Sequence, residues 1–465
     1  MAKRHGVPTL VLAAAMVAAA AAGGAALPAR AQLLGGPLGG PVGGPLNGPL
    51  GGLPSLPNPP LSGVPGAPGA LGRTVAGQTL GTTSGLAGRL LEARQLRLRA
   101  LIRRERTVLE AGPHGWPVVK GEILLLSPSP ASLAIAERAG FAVRERTALA
   151  PLGLEVAALE APAGLSAVAA LARLKRLDPT GHYDLDPIYQ PAGVPPSHAQ
   201  RRGESAARSS SSSRARPPIG VPIGLIDTGV QASHPAFAGE RLEERGFAGE
   251  VVPAAHGTAV ASLLVGRQGR FEGAAPGAPL LVADVYGSSP TGGSALDLAR
   301  ALAWLAERGV RVVNMSLAGP PDIALGAAVA ALVRRGEAVI APVGDDGPAA
   351  PPAFPASWPG VVSVTAVDGK GRLLIEDGRA RHVDFAGPGA DMAAAKIGGG
   401  YGSVRGSSFA VPIVAGLLAR TMDRPGESLP AALDALARSA RHGRGLGRGL
   451  VGADLRVPPF VLGVH

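Results

Sequence analysis

Five short apolar runs, "VPIGLID", "LLVADVY", "VRVVNMSL", "AVIAPVG" and "VVSVTAV", recur between residues 221 and 367, with helical apolar patterns between several of them. Runs that are largely apolar rather than alternating read as strands buried on both faces. Alternation of such strands with helices argues for an α/β fold with a mainly parallel sheet covered on both sides, the functional groups gathering at the carboxyl ends of the strands. Ser294 followed by Asp297 is the expected cap of the helix that runs through Glu307.

Upstream the pattern changes. Residues 121–192 read as strand "EILLLSP", helix "PASLAIAERAG", two strands across "FAVRERTALAPLGLEVAALEAP", helix "LSAVAALARLKRL" and strand "HYDLDPIYQ". That β-α-β-β-α-β order is a small ferredoxin-like α+β unit with no obvious chemistry of its own. A Ser/Arg-rich linker, residues 193–218, separates it from the larger unit, residues 219–440; a helix to about Arg438 and the Gly/Arg tract "RHGRGLGRG" are expected to close that unit, and the tail, residues 441–465, then to fray. Residues 86–110 carry Arg89, Arg94, Arg97, Arg99, Arg103, Arg104 and Arg106 among leucines. They read as a solvated basic helix leading, with a connector to residue 120, into the ferredoxin-like unit. Contact with anionic lipid or a partner is the sharper alternative.

The chain has 465 residues, a length that suggests about three domains. Its 68 glycines and 45 prolines are concentrated in part in residues 32–85, where "GGPLGGPVGGPLNGPLGG" offers too few packable side chains to offset ordering entropy. This stretch is expected to be a spacer. Cysteine is absent, which excludes disulfides, thiol catalysis and thiolate metal sites. Aromatic residues are 3% of the chain, too few for stacking surfaces that bind single-stranded nucleic acid. The net charge of +11 lies wholly in the flanks, because residues 219–422 hold 16 basic against 18 acidic side chains. No nucleic-acid partner is expected.

Lys3, Arg4 and His5 precede an apolar run over residues 7–22 and then Ala29-Arg30-Ala31 before Gln32. Charged region, apolar region and small-residue cleavage site follow in the order of a secretory signal over residues 1–31. The apolar run is short for a bilayer span of about 20 residues. A secreted or periplasmic location without a stable membrane span is expected.

Three segments carry chemistry. Asp227 ends a strand in "GLIDTGV", His256 opens a helix in "HGTAVASLLVG", and Ser408 stands at the start of the helix in "GSSFAVPIVAG". A serine hydroxyl becomes a useful nucleophile when a histidine takes its proton and a carboxylate orients that histidine and stabilises its charged form. The order Asp, His, Ser and these three blocks in register resemble the subtilisin-like serine peptidases, the subtilases. Pro412 in the first turn after Ser408 fits the same pattern. Ser407 is a rival nucleophile by position, but Ala410 and Pro412 align Ser408 with the family serine.

The resemblance implies a three-layer subtilisin-like fold and peptide-bond hydrolysis by Ser408, His256 and Asp227. It implies that Ser316, Leu317, Ala318 and Gly319 form an edge strand for an extended substrate, and that Pro342, Val343 and Gly344 wall the pocket before the scissile bond. Pro and Val replace smaller residues there, which narrows the pocket toward small or medium apolar side chains. The ferredoxin-like unit becomes, by the same resemblance, a propeptide-like intramolecular inhibitor whose "DLDPIYQPAG" strand lies in the cleft, with cleavage between about residues 189 and 218. His234-Pro235 also matches the family, with a structural turn the better reading. No cofactor is expected, and no acidic cluster has credible spacing for calcium.

One departure matters most. Subtilases usually place an asparagine side chain in the oxyanion hole, and here Gly344-Asp345-Asp346-Gly347 puts Asp345 at that position, alongside the Ser408 backbone N–H. An ionised carboxylate repels the developing charge, whereas a protonated one donates to it. Losing the side-chain donor costs about 2.7–4 kcal/mol, a figure that comes from subtilisin itself. The chain is thus expected either to hydrolyse slowly at neutral pH and faster as Asp345 is protonated, or to have lost catalysis and kept the fold for binding. An esterase using the same trio is a third possibility.

Overall fold

The structure, a computed structural model, describes residues 78–193 and 219–464. The expected signal, most of the Gly/Pro spacer and nearly all of the Ser/Arg linker lie outside these residues.

The five runs form strands at Ile223–Asp227, Leu280–Asp284, Val312–Met315, Ala338–Pro342 and Val362–Val367. Two more, Leu242–Gly246 and Phe385–Pro388, close the edges of a seven-stranded sheet. Every neighbouring pair is parallel, so the expected α/β architecture is the observed one. The interior strand Ile223–Asp227 alternates sides: Ile223 and Leu225 join helices α4 (Ala255–Val265) and α7 (Val411–Met422) in one core, while Ile226 joins α5 (Ala295–Glu307) and α6 (Ile323–Arg334) in the other. Ser294 caps α5 by accepting from the Asp297 N–H at 3.2 Å. The Leu242–Gly246 edge was hidden in the sequence because "LEERG" is mostly polar, as an edge strand with one wet side can be.

Residues 109–191 precede this unit. Four antiparallel strands stand in the order His182–Pro187, Pro117–Leu126, Leu154–Glu160, Ala142–Leu149, and a short Leu109–Ala111 strand also pairs with the start of Pro117–Leu126. Helices α2 (Pro130–Arg138) and α3 (Ala167–Leu177) cover one face through Ile123, Leu125, Ala157 and Leu159. The other face turns Leu124, Val156 and Ala158 into the core of α5 and α6, so the two sheets share a hydrophobic layer. Gln190–Pro191 leaves this sheet and pairs antiparallel with Leu317–Ala318.

Two expectations are corrected. The basic helix, α1, spans Gln78–Arg104 rather than 86–110, and residues 109–111 are a strand. It is not solvated all round, because Leu98 is buried and Arg94 is 2% exposed. The stretch after residue 441 does not simply fray: Leu446, Leu450 and Val451 are buried, with Leu450 bridged to Ala386 beside the sheet edge. Its leucines supply apolar area that the Gly/Arg composition disguised.

The N-terminal sheet meets the starts of α5 and α6 through carboxylates. Asp186 Oδ1 accepts from the Leu296 N–H and Asp184 Oδ2 from the Ile323 N–H, each at 3.2 Å, satisfying amides that a helix start leaves free. Asp322, the cap of α6, accepts from the Leu325 N–H at 2.7 Å but is buried beside Asp184. Burial, reinforced by the Asp184 charge, pushes its carboxyl up to about 8. A carboxyl with a raised folded-state pKa stabilises the fold at low pH and loses that contribution as pH rises toward that value. Asp322→Asn, which keeps a capping oxygen, is expected to melt increasingly above the native chain from about pH 4 to about pH 8, with a constant gap beyond. Thermal melts across that range check it.

Candidate active site

Asp227 is the last residue of the strand Ile223–Asp227, and the chain then turns through Thr228. The start of α4 sits directly on this turn. Gly257 N–H donates to Thr228 Oγ1 at 2.9 Å, and a Cβ on Gly257 would lie 2.1 Å from the Thr228 carbonyl oxygen. Only glycine lets the helix approach this closely, which explains the glycine after His256. The approach delivers the imidazole to the carboxylate: His256 Nδ1 is 2.8 Å from Asp227 Oδ1 and 2.9 Å from Oδ2. Thr228 N–H donates to Asp227 Oδ1 at 2.7 Å and helps hold the carboxylate.

The other ring nitrogen, Nε2, is 2.9 Å from the carbonyl oxygen of Ala192. Both nitrogens thus face oxygen acceptors, the environment of a doubly protonated ring. Burial favours the neutral form, but the Asp227 charge and hydrogen bond and the Ala192 carbonyl outweigh it, so the His256 pKa is raised above the usual histidine value.

Ser408 lies in a short 3-10 turn, Ser407–Phe409, that leads into α7, with Pro412 in the helix's first turn. Its Oγ donates to the Ser316 carbonyl at 3.0 Å, while Ser316 Oγ donates to the Ser408 carbonyl at 2.9 Å and accepts from Asn314 Nδ2 at 2.9 Å. The Phe409 ring stands 5.3 Å from the His256 ring. Asp227 and His256 are thus bonded to each other, and the Phe409 ring brings the Ser408 turn beside them, but Ser408 Oγ is bonded to Ser316 and His256 Nε2 to Ala192.

Residues 189–193 pass between these segments. Gln190–Pro191 pairs with Leu317–Ala318, and the Ala192 N–H donates to the Ser316 carbonyl at 3.4 Å. Tyr189 is fully buried, its hydroxyl donating to the Pro320 carbonyl at 2.6 Å, over Gly319, where any Cβ would strike the ring. Gly193 passes so close to Gly406 that a Cβ there would come within 2.4 Å of the Gly193 Cα. The Ala192–Gly193 peptide thus runs between His256 and the Ser408 turn.

Asp345 follows Gly344, whose φ of +85° suits glycine. Its Oδ1 accepts from the Ser407 N–H at 2.8 Å, and its buried Oδ2 has no partner among the described residues. Burial pushes Asp345 up to about 7; the Ser407 N–H opposes this, and the Glu376 and Asp346 charges add to it. Pro342 ends the strand that leads to this loop and Val343 follows it, both buried. His234 is structural: its Nδ1 accepts from the Ala236 N–H and its Nε2 meets the Gly400 carbonyl. Sequence reasoning missed the Asn314 to Ser316 to Ser408 chain, whose only signal was polar side chains at the end of an otherwise apolar strand.

Residues 219–446 match Peptidase S8, the subtilase family. Subtilisin Savinase of Lederbergia lenta is 32% identical over 211 residues, covering 43% of this chain and 75% of that one. The M-protease of Shouchella clausii (strain KSM-K16) is 32% identical over a stretch of the same length that covers 53% of it, so the chain spans about half the length of such relatives. The fold is also that of fervidolysin from Fervidobacterium pennivorans, a keratinolytic enzyme related to subtilisin, with a TM-score of 0.60, 19% identity, and coverage of 75% of this chain and 62% of that one. The chain belongs to the subtilase family.

Gly257→Ala is expected to push α4 off the Thr228 turn, destabilising the chain by about 1–3 kcal/mol. It is also expected to weaken the His256–Asp227 hydrogen bond. Denaturant midpoints and the downfield proton resonance of His256 Nδ1–H check both effects.

Proposed function

We propose that this chain is an exported serine endopeptidase whose first substrate is its own Ala192–Gly193 bond. The observation that carries the reading is the placement of residues 189–193: paired with an edge strand and threaded between His256 and the Ser408 turn. Main-chain pairing of this kind aligns a peptide without regard to most side chains. On this reading Ser316, Leu317, Ala318 and Gly319 bind extended polypeptides. Pro342, Val343 and Gly344 narrow the pocket before the cut, which suits the small Ala192. Residues 1–31 direct export, and residues 78–192 act as the intramolecular inhibitor.

The chemistry follows from the geometry. His256 Nε2 exchanges the Ala192 carbonyl for Ser408 Oγ and takes its proton as Oγ attacks the carbonyl carbon. The oxyanion is met by the Ser408 N–H and by Asp345 Oδ2 carrying a proton. The C–N bond breaks, His256 returns the proton to the leaving amine, and water repeats the cycle on the acyl-enzyme. In the described structure Nε2 is held by Ala192 and Oγ by Ser316, which is a blocked arrangement. Ser408→Ala is expected to leave the chain uncut, while the native chain yields a new N-terminus at Gly193. Intact mass and N-terminal sequencing test this, and a cut chain in the Ser408→Ala variant would refute self-processing.

The pH dependence has two limbs. Activity rises as His256 loses its proton and falls as Asp345 loses its own above about pH 7. Asp345→Asn removes the second limb, because an amide donates at any pH. At pH 9 this variant is expected to exceed the native chain by about 10²–10³ in kcat on a peptide substrate, with little difference near pH 6. A profile unchanged by the substitution would remove Asp345 from the oxyanion site. The Asp345 carboxylate is also what favours the second reading, a binding protein that keeps the fold. Native Ser408 left unlabelled by a fluorophosphonate from pH 5 to pH 9, with no peptide cut, would select that reading.

A further inference from the structure

A cavity of about 770 Å³ opens at the boundary between residues 109–191 and the subtilase unit, and none of Asp227, His256 and Ser408 lines it. Its volume is in the range of about 300–1,000 Å³ that small-molecule sites occupy. Trp116 lines it from the N-terminal side, and Asp322, Phe354, Trp358 and Arg381 line it from the other. The body of the cavity is aromatic. The Arg94 guanidinium lies 4.2 Å from the Trp116 ring centre, and the Phe354 and Trp358 rings stand 5.2 Å apart. Gly326 of α6 lets Trp358 lie against the helix, because a Cβ there would come within 3.3 Å of the indole and 3.5 Å of its Nε1.

The polar groups on these walls are spare donors. Trp358 Nε1–H has no acceptor among the described residues. Arg381 is exposed, stands 5.8 Å over the Phe354 ring centre, and pairs with no carboxylate among the described residues. Asp322 is 3% exposed; its Oδ1 is taken by the Leu325 N–H, while its buried Oδ2 has no partner among the described residues. Burial leaves a proton on this carboxyl at neutral pH, so Oδ2 is a third donor in search of an acceptor. Asp184, the other acid on the wall, already accepts from the Ile323 N–H. A cationic ligand would meet Arg381 here, whereas an apolar body that ends in an anionic acceptor matches both the rings and the donors.

We propose that this cavity binds an apolar carboxylic acid, the rings of Trp116, Phe354 and Trp358 enclosing its body and the Arg381 guanidinium, with the Trp358 and Asp322 donors, meeting its carboxylate. A small free acid and the C-terminal end of a short peptide share this chemistry. Because the walls come from both parts of the chain, an acid that touches both binds while they are together and by linkage holds them so. The site goes beyond the peptidase reading and does not depend on it: a chain that cuts nothing would still bind the acid.

The test uses the full Ser408→Ala chain, which keeps both walls on one polypeptide. Trp116 and Trp358 are two of the three tryptophans in the chain, so occupancy is read from tryptophan fluorescence and checked by calorimetry. Hydrocinnamate and acetyl-leucyl-phenylalanine are titrated at about pH 6.5, where such acids are ionised, each beside its carboxamide. At least one acid is expected to saturate near or below about 1 mM, and its amide to bind about tenfold or more weakly. Arg381→Gln, at an exposed position, is expected to abolish the preference for the acid while leaving the melting temperature of the unliganded chain unchanged. At a tenfold excess over Kd the acid is expected to slow opening of the His182–Pro187 strand, read by hydrogen exchange, by about tenfold. Tighter binding of hydrocinnamate assigns the site to free organic acids, and tighter binding of the dipeptide assigns it to peptide ends. No saturation by either method, amides that bind as tightly as their acids, or a preference that survives Arg381→Gln overturns the proposal.

Discussion

The register of the Ile223–Asp227 strand is the constraint on which the site depends. It is bonded on both sides, with Asp227 opposite Asp284 and Ile226 opposite Met315. Because side chains alternate faces, a slip of one residue would send Leu225 into the wrong core and carry Asp227 away from α4. Both cores hold the strand in place, one through Ile223 and Leu225 and the other through Ile226. The same register brings Ser316 just beyond Met315, where its carbonyl meets Ser408. The geometry of the candidate site is thus a by-product of sheet packing at the carboxyl ends of adjacent strands.

A second theme is the number of acids held where water is scarce. Asp186, Asp322 and Asp345 are all raised above the ordinary carboxylate range, chiefly by burial. Asp186 and Asp322 stand where residues 109–191 cover the starts of α5 and α6, and Asp345 stands beside the loop covered by α1. The boundary between the two parts of the chain thus holds buried acids even though the chain as a whole is basic. Arginine answers this at one place only among these three, through Arg94 and Arg97 on the residue next to Asp345.

Much of this was legible before any coordinates. Asp227, His256 and Ser408 stood out because each sits beside residues whose spacing marks a strand end or a helix start, and the parallel sheet followed from the alternation of apolar runs. The unreadable parts have physical causes. The polar edge strand "LEERG" has no apolar period to find. The burial of Arg94 depends on Trp116 and Asp346, residues 22 and 252 positions away, and nothing local distinguishes it from its exposed neighbours. The hydroxyl partner of Ser408 was hidden because it is a backbone carbonyl, which every residue possesses.

Tyr189 anchors the cleft segment by filling the space that Gly319 leaves open and by bonding to the Pro320 carbonyl. On the peptidase reading, the bond three residues later is tethered beside Ser408 by the same polypeptide that would break it. Tethering replaces a bimolecular encounter by a unimolecular step. On the peptidase reading, the half-life of the first scission is independent of how dilute the protein is, and each molecule keeps its own clock from the moment it folds.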